Sequence, residues 1–255
     1  EGTRRPDGPV FPRIGNEACL EAIQGSEHFQ STLEPSTESK LRGRGMASGY
    51  WNGIGNKSSV TINVNEDGLV SLIEGNPDIG GTRTTIAMQA AEILGLPAED
   101  VHPAVGDTDS IGYSDLTAGS RTTYATGTAA IEAAKMVIDE MKKRVAMIWE
   151  TEYGNIEHVD GLFVSKVAPD HKFTFKEAAG KLGQTGGPVA MTGTVNVRGS
   201  GGGSFGTHLV DVEVDRDTGK VEILRYTAAQ DAGKAVHPSY VEGQFQGGAV
   251  QGIGW

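Results

Sequence analysis

Apolar and polar positions alternate along Ser59-Val-Thr-Ile-Asn-Val64 and again along Leu69-Val-Ser-Leu-Ile73, with Asn65-Glu-Asp-Gly68 between them. A period of two on either side of a Gly-bearing turn predicts a β-hairpin. After a loop over residues 75–82 the period changes. Ile86, Ala87, Ala90, Ala91, Ile93 and Leu94 share one face of a helix predicted over 84–94, which Gly95 ends. A turn at 97–100 leads into a short strand at 101–105. A second polar loop, 106–122, precedes a long predicted helix over 123–149. That helix is Ala-rich early and carries Lys142, Lys143 and Arg144 late, an order that suits its dipole. Residues 153–200 read as short strands, a small helix at 175–182 and Gly-rich turns. A second hairpin pairs 207–214 with 220–226 across the turn 215–219, and a helix with a small-residue face is predicted over 241–255. Strand pair followed by helix occurs twice, so the expected fold class is α+β.

The first 45 residues are patterned differently. Residues 1–12 are polar and Pro-containing and read as a surface arm. Asn16 to Ile23 suits a short helix with Asn16 as N-cap and Gly25 as stop. Residues 34–44 are charged and read as a linker. The expected division is therefore a leading segment and linker at 1–45 and one principal domain at 46–255. Trp255 ends an apolar helix without a cap, which gives the expectation that the polypeptide continues.

Composition narrows the function classes. With 22 Lys and Arg against 33 Asp and Glu, the formal charge is 22 − 33 = −11, a surface that repels nucleic acid and acidic membranes. The single cysteine, Cys19, excludes a disulfide framework and any zinc site built on several thiolates. No apolar run reaches the roughly 18 residues of a membrane span, and the N-terminus lacks a signal-peptide core. The expected compartment is the cytoplasm, with the periplasm as the alternative. Glycine, at 37 of 255 residues, is about twice its usual share and clusters between patterned segments, pointing to tight turns or to backbone close against a ligand.

Common catalytic motifs are missing. Gly199-Ser-Gly is too short a match for a nucleophile elbow. Cys19 falls on an amphipathic helix, the place of an inert buried thiol. The six histidines are scattered. Asp107-Thr-Asp109 resembles the start of a calcium loop, but Ile111 and Ala118 stand where oxygen ligands are needed, so both Asp residues read as turn caps. Gly53-Ile-Gly-Asn-Lys-Ser58 lacks the two glycines of a phosphate loop, which Trp51 and Asn56 replace.

Three polar, glycine-bearing segments remain, each abutting a helix. They are Asp78-Ile-Gly-Gly-Thr-Arg-Thr-Thr85, Thr117-Ala-Gly-Ser-Arg-Thr-Thr123 and Gly243-Gln-Phe-Gln-Gly-Gly-Ala-Val-Gln-Gly252. The first two end at a helix N-terminus, where unpaired backbone N–H groups and the dipole favour an anion. Gly80, Gly81 and Gly119 remove the Cβ that would block close approach. Thr82, Thr84, Ser120 and Thr122 add hydroxyls, and Arg83 and Arg121 are expected to neutralise phosphate. The pattern suits a pocket for one small phosphate-bearing ligand. Ordinary caps and turns, with both arginines in salt bridges, are the alternative.

From about Arg44 to Trp255 the sequence resembles the C-terminal half of the molybdenum-binding subunit of the xanthine dehydrogenase, aldehyde oxidase and aerobic carbon monoxide dehydrogenase family. The resemblance runs in order. It begins with Leu69-Val-Ser-Leu-Ile-Glu-Gly-Asn-Pro-Asp-Ile-Gly-Gly-Thr-Arg-Thr84, then Gly106-Asp-Thr-Asp109, then Thr117-Ala-Gly-Ser-Arg-Thr-Thr-Tyr-Ala-Thr-Gly127. It continues with His208-Leu-Val-Asp-Val-Glu-Val-Asp-Arg-Asp-Thr-Gly-Lys-Val221, Ala229-Gln-Asp-Ala-Gly-Lys-Ala-Val-His-Pro238 and residues 241–254. Each motif alone is weak; their order and spacing carry the resemblance.

The resemblance implies an α+β fold and a molybdenum-bearing molybdopterin, often the cytosine dinucleotide form in bacteria. It places Gly81 in the first cofactor loop and Gly119, Ser120 and Thr122 in the loop holding the pterin phosphate end. Gln251 matches a glutamine that hydrogen-bonds the pterin. It also implies hydroxylation of an aldehyde, N-heterocycle or similar substrate with water-derived oxygen, and electron transfer through iron–sulfur clusters and FAD on other domains or subunits. Two departures stand out. Gly80 replaces the family's usual glutamine, a contact that Thr82 or Arg83 would have to supply. The family's catalytic Glu is expected beyond residue 255, so no catalytic residue is assigned here. The alternatives are a truncated, non-catalytic cofactor-binding or assembly module and an unrelated small-phosphate binder.

Overall fold

The computed structural model describes residues 2–4, 8, 10, 11, 14–198 and 203–255. Part of the expected arm at 1–12, and Gly199-Ser-Gly-Gly at 199–202, lie outside the described residues. The chain forms two compact units, one from residues 1–53 and 200–255 and the other from 54–199.

The first unit holds helices α1 (Asn16–Gln24) and α2 (Glu27–Gln30), the strand β1 (Lys40–Asn52), and, late in the chain, the strands β9 (Gly203–Asp215) and β10 (Val221–Asp231) with helix α6 (Pro238–Gly254). Its antiparallel sheet has the order β1-β9-β10. Phe205, Thr207 and Leu209 bury one face of β9, and Cys19 and Ile23 are the buried residues of α1. The Cys19 thiol donates to the Phe205 carbonyl at 3.4 Å, and burial raises its pKa, as expected of an inert thiol. His28 of α2 is buried, with Nδ1 2.8 Å from Thr227 Oγ1 and Nε2 3.0 Å from the Asp211 carboxylate.

Two expectations fail here. The helix α1 is capped by Gly15, not Asn16, and no side chain closes its start. Residues 40–44 are not linker but the start of β1. The charges that suggested a linker are one side of a cross-strand ladder. Lys40, Arg42 and Arg44 stand opposite Asp215, Glu213 and Asp211 and pair with each in turn. Opposite charges directly across an antiparallel pair support the sheet.

The second unit contains β2 (Asn56–Val64), β3 (Val70–Glu74), α3 (Thr82–Leu94), β4 (Val101–Val105), α4 (Thr122–Ile148), β5 (Ile156–Val159), β6 (Leu162–Ser165), β7 (Lys172–Thr174), α5 (Phe175–Ala179) and β8 (Val189–Val197). The first hairpin closes as its alternation predicts, with Val64 opposite Val70. The main sheet has the order β4-β3-β2-β8, and only β3 and β4, joined through α3, run parallel. Val60, Ile62, Val70 and Leu72 form a core with Ile86, Ala90 and Leu94 of α3 and Ala129, Ala133, Val137, Met141 and Val145 of α4. The alanine face lets α4 come very close to β8. A Cβ on Gly193 would stand 2.2 Å from the Ala129 carbonyl oxygen. The meander β5-β6-β7 and α5 complete this unit.

Candidate functional site

Two adjacent pairs of left-handed residues stand directly ahead of α3 and of α4. Gly80 and Gly81 have φ of 66° and 77°, and Gly119 and Ser120 have φ of 62° and 57°. Gly81 leads into α3. Ser120 is followed by Arg121 at φ −92°, ψ −28°, and then by α4. A left-handed residue followed by right-handed helix turns successive N–H groups toward one point and makes an anion-binding concavity. Within this unit α5 starts differently, its first turn closed by the Thr174–Glu177 capping box, whereas neither α3 nor α4 receives a cap from its N-cap side chain. Ser120 is exposed, so its left-handed backbone costs about 1–2 kcal/mol without buried side-chain packing to offset it.

The two openings are not equally free. At α3 the Arg83 N–H donates to Asp78 Oδ1 at 3.1 Å, and the Arg83 side chain pairs with the same carboxylate at 3.3 Å. Asp78 therefore occupies one amide and the nearby cation. What remains at α3 is the Thr82 hydroxyl, whose Oγ1 is buried without a partner, and the outer amides of Thr82 and Thr84. At α4 no hydrogen bond among the described residues reaches the amides of Thr122, Thr123 or Tyr124, while Ala125 N–H begins the helix ladder on the Arg121 carbonyl at 2.7 Å.

Arg121 does not do what its type suggested. Its side chain is fully buried, and all five N–H donors are taken within the protein. Nε donates to the Gly55 carbonyl at 2.7 Å. Nη1 donates to the carbonyls of Asp115 and Leu116 at 2.8 and 3.3 Å, and Nη2 to the Lys57 carbonyl and to Ser58 Oγ at 2.6 and 2.5 Å. No donor is left for a phosphate. Burial lowers its pKa from the ordinary guanidinium value, with Asp115 opposing that. The expectation that Arg121 neutralises phosphate is corrected: it is a bolt behind the loop. Local geometry could not be read from the letters Gly-Ser-Arg-Thr.

Asn76 was not singled out in the sequence, yet it joins the two loops. Its Nδ2 donates to the Asp115 carbonyl at 3.0 Å and to Thr117 Oγ1 at 3.1 Å, and its Oδ1 accepts from Thr126 Oγ1 at 2.8 Å. Thr122 Oγ1 turns toward Thr117 Oγ1 at 3.3 Å, so this hydroxyl faces the loop. Gln89 of α3 donates to the Thr123 carbonyl at 3.2 Å and ties the first turn of α4 to α3. Beside Asn76, the fully buried Glu74 accepts the Asn76 N–H on Oε2 at 2.5 Å, and its Oε1 has no partner. Burial, with the Asp78 charge adding to it and the Asn76 N–H and Arg83 acting against it, raises its carboxyl to about 7. Asp107 accepts from the Asp109 N–H at 2.9 Å, the turn-capping role its spacing indicated.

Hydrogen bonds of Asn76 and Gln89 thus tie the segment carrying Gly80, Gly81 and Thr82 to the segment carrying Gly119, Ser120 and Thr122. Gln251 lies on α6 in the other unit and is exposed. The assembly offers neutral donors, namely first-turn backbone amides and the exposed Ser120 hydroxyl, with the Thr82 hydroxyl buried behind the first opening, and both Arg83 and Arg121 are already engaged within the protein. It fits the phosphate end of an organic cofactor held by hydrogen bonds. No helix among the described residues is long and apolar enough to cross a membrane.

Comparison with known proteins places the chain in a family. The family model described as the molybdopterin cofactor-binding domain matches residues 18–255. The gamma subunit of the 6-hydroxypseudooxynicotine dehydrogenase complex of Paenarthrobacter nicotinovorans is 28% identical over 92% of this chain and 31% of its own length. The carbon monoxide dehydrogenase large chain of Afipia carboxidovorans is 30% identical over 78% of this chain and 25% of its own. The structure of quinoline 2-oxidoreductase from Pseudomonas putida 86 superposes with a TM-score of 0.80 at 23% identity, over 99% of this chain and 35% of that one, and shares the fold. The chain therefore spans a third or less of the length of these two curated relatives.

Proposed function

This chain belongs to the molybdopterin cofactor-binding domain family, and on that premise we propose that it forms part of a molybdenum hydroxylase, holding the phosphate end of the cofactor at the starts of α3 and α4. The observation that carries the reading is the pair of left-handed openings, Gly80-Gly81 and Gly119-Ser120, whose first-turn amides are not closed by N-cap side chains. Thr122, Thr123 and Tyr124 amides with the Ser120 hydroxyl would grip the phosphate, and the Thr82 hydroxyl would serve the first opening. Gln251 is proposed as a pterin contact on the resemblance of its segment. When bound, the cofactor supplies the oxidation of a carbon centre with oxygen taken from water. This chain's own part is to bind and orient it. No group in the two loops is assigned a proton-transfer role.

The cytosine dinucleotide form of the cofactor, and iron–sulfur and FAD groups on partner domains or subunits, belong to the same proposal, as does an aldehyde or N-heterocycle as substrate. The two relatives named as a complex subunit and a large chain support a multi-subunit setting.

The test uses Ser120, which is exposed and left-handed, a conformation that Asn and Asp also tolerate. Ser120→Asp sets a carboxylate against the amides and repels phosphate; Ser120→Asn keeps the backbone and stays neutral. In the assembled complex, metal analysis is expected to show molybdenum lost from Ser120→Asp and kept in Ser120→Asn. Equal molybdenum in both would count against the proposal.

A further inference from the structure

We infer that Asn76, Ser58 and Thr126, together with Arg121, are positioning residues: a closed ring of buried hydrogen bonds sets both cofactor loops in their ligand-holding shape before the ligand arrives. This deepens the proposed function and rests on it.

The ring can be followed proton by proton. Thr126 has one hydroxyl hydrogen, and it goes to Asn76 Oδ1. The 2.8 Å contact between Ser58 Oγ and Thr126 Oγ1 is therefore donated by Ser58. Ser58 Oγ in turn accepts from Arg121 Nη2. Asn76 Nδ2 donates to the Asp115 carbonyl, which also accepts from Arg121 Nη1, and the circuit closes. Along the long arm every donor points away from Arg121 Nη2, through Ser58, Thr126 and Asn76 to the Asp115 carbonyl, so each bond polarises the next; the short arm from Arg121 Nη1 ends on that same carbonyl. The amide of Asn76 has one workable orientation. Reversed, its oxygen would face the Asp115 carbonyl and its NH2 would face the Thr126 hydroxyl hydrogen. All four side chains are buried, Asn76 at 2% exposure and the other three at 0%.

The ring joins three pieces of backbone. Asn76 sits four residues ahead of Gly80, with the fixed backbone of Pro77 between them. Asp115 leads to Gly119 and Ser120. Ser58 belongs to β2 and Thr126 to the second turn of α4. Arg121 directly follows strained Ser120 and holds it against Gly55 and Lys57. A grip made of backbone amides has no side chain to adjust on binding, so its affinity depends on the loops being set beforehand.

Thr126→Val deletes the hydroxyl at nearly constant volume, and Thr126→Ser restores it. Hydrogen exchange of the cofactor-free chain is expected to speed up about tenfold at residues 77–82 and 115–124 in Thr126→Val, with β5–β7 unchanged, and bound molybdopterin is expected to fall by about the same factor. Thr126→Ser should behave as wild type in both readouts. Ser58→Ala breaks the adjacent link and gives the same pattern, should Thr126→Val fold poorly. Wild-type exchange and molybdopterin content in both Thr126→Val and Ser58→Ala would overturn the inference alone. A wild-type chain that takes up no molybdopterin in its assembled complex would overturn the proposed function, and the positioning role with it.

Discussion

Gly119→Ala perturbs the loop at the point where two physical demands meet. Gly119 has φ of 62°, and moving an L-residue into that region costs about 1–2 kcal/mol. The new Cβ would also stand 2.5 Å from Ile54 Cδ1 and 2.6 Å from Cγ1, while the Gly119 carbonyl accepts the Ile54 N–H at 3.0 Å. Relieving such overpacking costs about 1–3 kcal/mol. Together these destabilise the chain by about 2–5 kcal/mol. The two contributions can be separated, because Ile54 Cβ lies 3.7 Å from the built position, an ordinary contact. Ile54→Ala therefore removes the clash and leaves the dihedral cost. Urea unfolding of wild type, both single variants and the double variant gives the coupling, expected at about 1–3 kcal/mol in favour of the double variant. Strict additivity would show that the steric argument is wrong. A loss below about 0.5 kcal/mol for Gly119→Ala would refute the loop geometry altogether.

Two other perturbations probe the groups behind the loops. Arg121→Lys keeps the charge but offers three donors where five are used, and it is expected to destabilise the chain by about 3 kcal/mol or more in urea unfolding; a change within 0.5 kcal/mol, on the scale of about that size for surface substitutions, would contradict its role as a bolt. Glu74 has a carboxyl raised from 4.5 to about 7, so its neutral form is the one the fold favours. Its stabilising contribution is present below about pH 4.5 and is lost as pH rises through about 7. The difference corresponds to about 3 kcal/mol. Glu74→Gln should flatten the decline in unfolding midpoint between pH 5 and 8, and a variant profile parallel to the wild type would refute the assignment.

Periodicity made the second unit legible. The hairpin of β2 and β3, the apolar face of α3 and the Ala-rich face of α4 fall where the pattern puts them, because each buries one continuous face; the short strand β4 also lies where expected, with Val101 as its buried residue. In β1 the pattern misled, since Lys40, Arg42 and Arg44 satisfy charges on β9 that lie 167 to 175 residues away in sequence. No local window contains both halves of that ladder. The two helix openings were legible because Gly-rich segments stood at helix starts. The residues that shape them were less so. Ser58 occupies the same inward row of β2 as Val60, Ile62 and Val64, and Thr126 shares the alanine face of α4, so both are polar letters in apolar stripes. That mismatch was the available signal for a buried polar network. Arg121 misled for the opposite reason. A cation beside a phosphate-type loop suggests a ligand contact, and only the three-dimensional arrangement shows five internal acceptors already in place.

The most direct test of the account is a structure of the assembled, cofactor-loaded protein, read at the first turn of α4. The account predicts phosphate oxygens at about 3 Å from the backbone nitrogens of Thr122, Thr123 or Tyr124, with the Ser120 hydroxyl as a further donor. A cofactor seated elsewhere, with those amides facing water or a protein side chain, would contradict it.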